Sequence, residues 1–195
     1  MTNTKRPTTG RTGVVLAGGA SRRYGSDKAL SVIPGSNLTF LAAAANILRD
    51  VLDDVLIVAP ADRRYNIENT HQIADQWPGE GPLGGVISVH KQVPNHQLLV
   101  IACDQVWLRS ADLIPLLDGA LEATLVCYAG PGTSVLPLPF FMQPECGSDL
   151  EKCFLEGERS LRRCLDTLSV MSIPMPTGAR LDDVDWPDDL AGYPR

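Results

Sequence analysis

Short apolar runs alternate along the chain with segments of helical periodicity. The apolar runs are continuous in hydrophobicity, which is typical of strands buried on both faces of a sheet. They are TGVVLA at 12–17, DVLIVAP at 54–60, QLLVIACD at 97–104, ATLVCY at 123–128 and, more weakly, HQIAD at 71–75. The alternation predicts an α/β fold with a mostly parallel sheet, helices on both faces and right-handed crossovers.

The segments of helical periodicity supply the crossovers that a parallel sheet needs. The first lies within LTFLAAAANILRDVL at 38–52, where leucines and alanines form one apolar stripe and Asn37 is placed to cap the N-terminus. Further helices are predicted in GPLGGVISVHKQ at 81–92, SADLIPLLDGALE at 110–122, SLRRCLDTLS at 160–169 and WPDDLAGY at 186–193.

The pattern weakens between Gly130 and Pro144, where glycines and prolines interrupt it. The run SVLPLPFFM at 134–142 is predicted to be an edge strand, because proline cannot donate to the hydrogen-bond ladder of a central strand. Neither a repeat nor a linker divides the chain. We therefore predict a flexible N-terminal tail at 1–11 and a single domain at 12–195.

Composition favours a globular protein and disfavours several classes of site. The 195 residues are 44% hydrophobic and 21% charged, and no apolar run approaches the roughly 18 residues that span a bilayer. The polar start lacks a secretory signal, so we expect a cytoplasmic protein without a membrane partner. Five cysteines without a C-x-x-C pair and three histidines without H-E-x-x-H spacing support neither a disulfide framework nor a zinc site.

Charge is distributed unevenly along the chain. The net charge is −6, which disfavours a nucleic-acid partner because phosphate backbones attract basic surfaces. Residues 1–28 nevertheless carry six basic side chains and one acidic one. An acidic protein with one basic loop suits a small polyanion better than a long one.

That basic loop, GGASRRYGSDK at 18–28, follows the first predicted strand. It lacks the spacing of a dinucleotide fingerprint, of a Walker loop and of a hydrolase elbow. Gly18 and Gly19 let backbone N–H groups approach an anion closely, and Arg22, Arg23 and Lys28 add positive charge. The alternative is a plain turn with solvated cations.

The stretch LAGGASRRYGSDKAL at 16–30 resembles the L-A-G-G-x-S-x-R-M-G-x-D-K signature of nucleotidyltransferases related to molybdenum cofactor guanylyltransferase. Further matches follow in order, so the similarity extends over about residues 12–192. They are Asp75 followed by GPLGG at 81–85, ACDQVWL at 102–108, GERS at 157–160 and LDDVDWPDDL at 181–190.

The resemblance implies one nucleotidyltransferase domain with a Rossmann-like α/β fold. Such a domain joins a nucleoside monophosphate to a phosphorylated acceptor and releases pyrophosphate. In the guanylyltransferase the donor is GTP with Mg²⁺ and the acceptor is molybdopterin. Proteins that mature molybdoenzymes are implied as further partners. Three alternatives stay open: a relative that uses CTP, one that transfers to a sugar phosphate, and a degenerate protein that binds nucleotide without turnover.

The resemblance also assigns roles to residues. The implied catalytic residues are Lys28, Arg23 and Asp104. The implied metal ligands are Asp104 and Asp185. The implied nucleotide-binding residues are Leu16, Ala17, Gly18, Gly19, Arg22, Lys28, Asp75, Gly81, Pro82 and Leu83. An aspartate after a buried strand offers hard oxygen ligands to Mg²⁺, although it also serves as an ordinary turn cap. Arg159 of GERS either contacts the acceptor or lies on a helix surface.

Four positions depart from the family pattern. Asp183 and Asp185 replace two asparagines of the closing motif, while Tyr24 and Val106 replace a methionine and a proline. Two added negative charges would repel an anionic acceptor unless a metal intervenes. We therefore expect Asp185 to lie close to Asp104; the alternative is a solvated side chain ahead of a short helix.

Overall fold

Seven strands form one sheet in a computed structural model that describes residues 10–19, 27–132 and 134–192. In chain order they are β1 (Arg11–Leu16), β2 (Asp54–Ala59), β3 (His71–Ala74), β4 (Gln97–Ala102), β5 (Leu125–Ala129), β6 (Val135–Met142) and β7 (Met171–Ile173). Their order across the sheet is β3-β2-β1-β4-β6-β5-β7. All pairings are parallel except those of β6, which runs antiparallel to β4 and β5.

Helices cover the sheet on both faces, as predicted. They are α1 (Phe40–Arg49), α2 (Gly81–Gln92), α3 (Ser110–Gly119), α4 (Cys146–Leu155) and α5 (Leu161–Asp166), with 3-10 turns at Lys28–Leu30 and Pro187–Gly192. One core lies between the sheet and α1 and α3, and the other between the sheet and α2, α4 and α5. Within the described ranges, no helix is long and apolar enough to cross a membrane.

Strand β1 belongs to both cores. Val14 packs on the α2 face and Val15 on the α1 face, and both are completely buried. The strand begins at Arg11, one residue before the predicted domain start, and pairs with β2 on one side and β4 on the other. Successive side chains of a strand point to opposite faces, so a continuous apolar run suits this central position.

The prediction of an edge strand at 134–142 is wrong, because the strand found there, β6, lies inside the sheet between β4 and β5. Its ladder with both neighbours is made by residues 140–142, and a register irregularity in β5 separates that part from Val135. Pro137 and Pro139 precede the continuously paired part. The missing N–H groups of these prolines therefore do not interrupt the central ladder.

Two helices also differ from the sequence prediction. Helix α1 is capped by Thr39, not Asn37, because a bridge between Val32 and Thr39 keeps the chain extended up to that residue. Helix α4 was not predicted. It contains Gly147, on which the His90 ring of α2 packs so closely that a β-carbon there would collide with it.

The segment after β7 returns to the carboxyl edge of the sheet. Val184 is completely buried and packs with Leu190 against Ile33, Phe40 and Val106. The backbone N–H of Val184 donates to the carbonyl of Asp104 over 3.0 Å. This docking brings the acidic residues around Val184 next to the end of β4.

The central position of β6 can be tested with Phe140→Ala. Because Phe140 is completely buried inside the sheet, the substitution should cost about 3–5 kcal/mol in the free energy of unfolding, measured by urea denaturation. Leu121→Ala, at a side chain that is 80% exposed, is the control and should change stability by no more than about 0.5 kcal/mol. Similar losses in the two variants would contradict the buried placement of β6.

Candidate active site

A cleft of about 590 Å³ opens at the carboxyl ends of the parallel strands β1 to β4. The connections from β1 and from β4 leave the sheet beside each other there, which is where open α/β sheets bind ligands. Its lining comprises Leu16, Ala17, Gly18, Gly19, Asp27, Lys28, Ala29, Val58, Asp75, Gly79, Gly81, Pro82, Gly85, Ala102, Cys103, Asp104, Leu138, Asp183 and Asp185.

The start of the glycine-rich loop lies directly on this cleft. The N–H of Ala17 donates to the carbonyl of Val58 over 2.8 Å, so the backbone stays in sheet register just past the end of β1. A β-carbon at Gly18 would lie 3.4 Å from Oδ2 of Asp75, whereas one at Gly19 would have no heavy atom within 4 Å. Both glycines belong to the cleft lining. Arg22 and Arg23, predicted to act on phosphates, lie outside the described residues.

Lys28 joins three parts of the chain at the floor of the cleft. Its Nζ donates to Oδ2 of Asp104 over 2.8 Å, to the carbonyl of Val184 over 2.5 Å and to Oδ1 of Asp185 over 3.3 Å. Burial lowers the pKa of the Lys28 ammonium, but its hydrogen bonds and the charges of Asp104 and Asp185 outweigh that effect and raise the pKa overall. Lys28 is therefore a cation at neutral pH.

Asp104 and Asp185 come together on that ammonium group. Because both carboxylates bond to the same nitrogen, at 2.8 and 3.3 Å, their bonded oxygens are no more than about 6 Å apart. This meets the expected proximity of Asp185 to Asp104. The backbone N–H groups of Asp185 and Trp186 donate to Oδ2 of Asp189, each over 2.8 Å, which fixes the turn that carries Asp185.

Asp183 adds a third carboxylate at the rim. Desolvation of its carboxyl group, followed by the charges of Asp104 and Asp185, raises the pKa of Asp183 to about 6 although the residue is exposed. The acidic side chains of the C-terminal segment thus crowd the end of β4. They do so only because Val184, between them, is anchored in the core.

The residues predicted around the base lie on the opposite wall. Oδ1 of Asp75 accepts from the N–H of Trp77 over 2.9 Å and from the hydroxyl of Ser88 over 3.1 Å, which fixes the carboxylate at the end of β3. Gly81, with a φ of 79°, and Pro82 begin α2 at this wall. The side chain of Leu83 is instead completely buried in the core below.

Arg159 is held by other parts of the chain and is not among the cleft-lining residues. Its Nε donates to Oε2 of Glu80 over 2.5 Å, its Nη1 to the carbonyl of Phe154 over 2.8 Å, and its guanidinium lies over the Phe154 ring. Sequence reasoning missed other lining residues. Asp27 could have been found from its place before Lys28, whereas nothing in the irregular segment around Leu138 indicates a site.

Two of the acidic residues could hold a metal ion. Asp104 and Asp185 offer the hard oxygen ligands that Mg²⁺ prefers, at a separation that one hydrated ion could bridge. No group of three metal-binding side chains is assembled among the described residues. Further ligands would have to come from water or from a bound substrate.

Comparison with known proteins gives matches over most of the chain. The model of the MobA-like NTP transferase domain matches residues 13–171. A relative from Trichormus variabilis, named "Probable molybdenum cofactor guanylyltransferase", is 30% identical over 92% of this chain and 88% of its own. Molybdopterin-guanine dinucleotide biosynthesis protein A from Archaeoglobus fulgidus superposes with a TM-score of 0.74 at 20% identity, over 92% of this chain and 95% of that one.

More distant neighbours share the fold alone. The 4-diphosphocytidyl-2C-methyl-D-erythritol synthase from Anaerococcus prevotii has a TM-score of 0.67 at 12% identity, over 94% of this chain and 93% of that one. A Mycobacterium tuberculosis protein solved in complex with manganese has a TM-score of 0.60 at 19% identity, over 86% and 88% of the two chains.

The junction at Lys28 generates a stability prediction. Lys28→Ala should cost about 1–3 kcal/mol in the free energy of unfolding, because it leaves neighbouring carboxylates and a buried carbonyl without their common donor. The control is Lys91→Ala, which removes a half-exposed ion pair with Glu151 and should cost less than about 1 kcal/mol. Urea unfolding measures both. An equal loss in the two variants would show that Lys28 does not hold the C-terminal segment in place.

Proposed function

The chain belongs to the MobA-like NTP transferase family, and from that membership we propose that it transfers GMP from GTP to molybdopterin with release of pyrophosphate. The observation that carries the proposal is the pairing of Lys28 with Asp104 in the cleft at the carboxyl edge of the sheet, whose lining also includes Gly18 and Gly19. That arrangement places a fixed cation and a metal-binding oxygen side by side. Phosphoryl-type transfer needs both.

The charge balance of the cleft supports the need for a metal. Its described lining carries the carboxylates of Asp75, Asp104, Asp183 and Asp185 against the single ammonium of Lys28. Asp27, which also lies in the lining, is paired with Arg63. A nucleoside triphosphate would be repelled by that lining without further positive charge. When bound by Asp104 and Asp185, Mg²⁺ would supply that charge and polarise the phosphate oxygens.

The chain's own groups serve the transfer step as follows. A phosphate oxygen of the acceptor forms a bond to the α-phosphorus of GTP, and the bond to the bridging oxygen of the β-phosphate breaks, so pyrophosphate leaves with the electron pair. The positive charge of Lys28 would stabilise the phosphate oxygens on which negative charge accumulates. A unit charge about 4 Å from another contributes roughly 4 kcal/mol at an effective dielectric of 20. Arg22 and Arg23 would add charge from the same loop.

Asp75 and the start of α2 suit a guanine base. Oδ1 of Asp75 is held by Trp77 and Ser88, while Oδ2 faces the loop at Gly18, on the cleft side. A fixed carboxylate accepts hydrogen bonds, and guanine, unlike cytosine or adenine, offers adjacent ring and amino N–H donors on one edge. We therefore propose GTP as the donor.

Three alternatives remain as outcomes of experiment. Transfer to a sugar phosphate would release pyrophosphate with that acceptor and not with molybdopterin. The fold is shared with a cytidylyl-transferring enzyme, so the sheet itself does not choose the base. A degenerate nucleotide-binding protein is the alternative from another class. The close contact between Lys28 and Asp104 argues against degeneracy, because a binding protein without turnover has no need of a metal ligand at that lysine.

Asp104→Asn should preserve the fold and reduce metal-dependent turnover more than a hundredfold. The amide retains the shape of the side chain and loses the charge that would hold the metal. Pyrophosphate release with GTP, Mg²⁺ and molybdopterin measures the effect. The matched control is Asp118→Asn on the exposed side of α3, which should leave turnover unchanged. Asp104→Asn activity within about tenfold of wild type, a barrier difference of only ~1.4 kcal/mol, would refute the metal role.

Nucleotide choice gives a separate prediction. GTP should compete for the cleft at least tenfold more tightly than CTP or ATP, and Asp75→Asn should reduce that preference because an amide presents an N–H group as well as an oxygen. Competition against a fluorescent GTP analogue measures all three nucleotides. Tighter binding of CTP would assign the protein to the cytidylyl-transferring alternative. Equal binding of all nucleotides without pyrophosphate release would support the degenerate one.

A further inference from the structure

The connection between β2 and β3 reaches across to the residue that precedes Lys28. The hydroxyl of Tyr65 donates to Oδ2 of Asp27 over 2.7 Å, and Nη1 of Arg63 lies 3.4 Å from Oδ1 of the same carboxylate. We propose that Tyr65 and Arg63 are positioning residues that orient Lys28 through Asp27. This inference rests on the proposed function for the role of Lys28, but not for the contacts themselves.

Asp27 sets the conformation of the turn that presents Lys28. Its carboxylate accepts from the N–H of Ala29 over 3.1 Å and caps the 3-10 turn. The N–H of Leu30 donates to the Asp27 carbonyl and that of Ser31 to the Lys28 carbonyl, each over 3.0 Å. Whatever fixes the Asp27 carboxylate therefore fixes the direction in which the Lys28 side chain leaves the backbone.

The two positioning residues are themselves anchored to the sheet. Gln72 of β3 accepts from the N–H of Tyr65 over 2.9 Å and donates to the carbonyl of Arg63 over 2.7 Å. The Tyr65 side chain also packs against the core on the α1 face. A continuous set of contacts thus runs from β3 through Gln72 and Tyr65 to Asp27.

The chemistry of the two side chains matches this role. Desolvation, with the hydrogen bond to Asp27, raises the pKa of Tyr65 to about 12, so the hydroxyl remains a donor at neutral pH. The hydrogen bond between Arg63 and Tyr65 raises the pKa of the Arg63 guanidinium, so this group stays charged beside Asp27. Asp27 faces the cleft, and this partnership neutralises a carboxylate that would otherwise repel a triphosphate or compete for Lys28.

Neither Tyr65 nor Arg63 is among the residues that line the cleft. Their effect on transfer must therefore pass through Asp27 and Lys28. A merely structural role would lower stability without a specific effect on the turn at 28–30. The two readings are separated by measurements made at that turn.

The test uses Tyr65→Phe in the full-length protein, with Tyr128→Phe as the matched control. Tyr128 is completely buried on β5, and its hydroxyl donates to the backbone carbonyl of Asp112 away from the cleft. Amide hydrogen exchange is followed by NMR without nucleotide. Exchange of the Ala29, Leu30 and Ser31 amides should accelerate about tenfold in Tyr65→Phe and remain unchanged in Tyr128→Phe. Unchanged exchange at these amides in Tyr65→Phe would overturn the proposal.

Transfer kinetics give the second readout. In Tyr65→Phe, kcat/KM for the nucleotide should fall about tenfold, and on a Lys28→Ala background the same substitution should have no further effect, because its influence passes through that side chain. Arg63→Lys should retain more activity than Arg63→Gln, since it keeps the charge beside Asp27. Full additivity of the Tyr65 and Lys28 effects would contradict a positioning role.

The two proposals fail in different ways. Suppose that the wild-type protein transfers no nucleotide but the amides of the turn at 28–30 exchange faster in Tyr65→Phe. The proposed function is then wrong, and the positioning of the turn by Tyr65 stands. If wild-type protein is active while Tyr65→Phe matches it in both exchange and kcat/KM, the link is wrong and the proposed function stands.

Discussion

The described cleft depends on the hydrogen bonds made by the ammonium group of Lys28. It bonds to groups 76, 156 and 157 residues away along the chain, at Asp104, Val184 and Asp185. The glycine-rich loop, the end of β4 and the C-terminal segment meet there. Val184 donates its own N–H to the Asp104 backbone and is buried in a small apolar cluster, so hydrophobic packing and charge pairing fix the same segment.

The charged groups that stabilise the folded cleft, Lys28 with Asp104 and Asp185, are also the groups proposed to act on the ligand. Removing a lysine from water costs free energy, which the paired carboxylates offset. Those carboxylates also lie near Asp183, whose pKa is raised first by desolvation and then by the charge of Asp104. Cations brought by a ligand would relieve the crowding. A protein built in this way should become more stable when it binds a metal nucleotide, because the folded state alone holds these acidic groups together.

Local patterns were sufficient to predict much of the fold and part of the site. The apolar run of β1, the bounds of α2 and the acidic residue after β4 depend on neighbouring residues, and the structure agrees with all three. The position of β6 depends on pairing with strands distant in sequence, where the prolines gave the wrong signal. Helix α4 was missed although its buried Cys146, Leu150 and Phe154 are spaced four residues apart. Its apolar stripe is short and directly follows a segment interrupted by glycine and proline.

The contact of Tyr65 with Asp27 was equally hidden, since it joins an irregular connection to a loop 38 residues earlier. Positions of this kind have no periodic pattern, and the geometry of the sheet decides which side chains meet.

The sheet alone does not determine which base or acceptor is bound. The 4-diphosphocytidyl-2C-methyl-D-erythritol synthase, at 12% identity, shares the fold, so under the proposed function discrimination has to come from groups attached to the edge of the sheet. In this chain we propose that role for the Asp75 wall with the start of α2 on one side and for the C-terminal segment with Asp183 and Asp185 on the other. The first is fixed by Trp77 and Ser88. The second is held through Lys28, the residue proposed to contact the phosphates, so binding at the centre of the cleft is physically coupled to the position of the acidic rim.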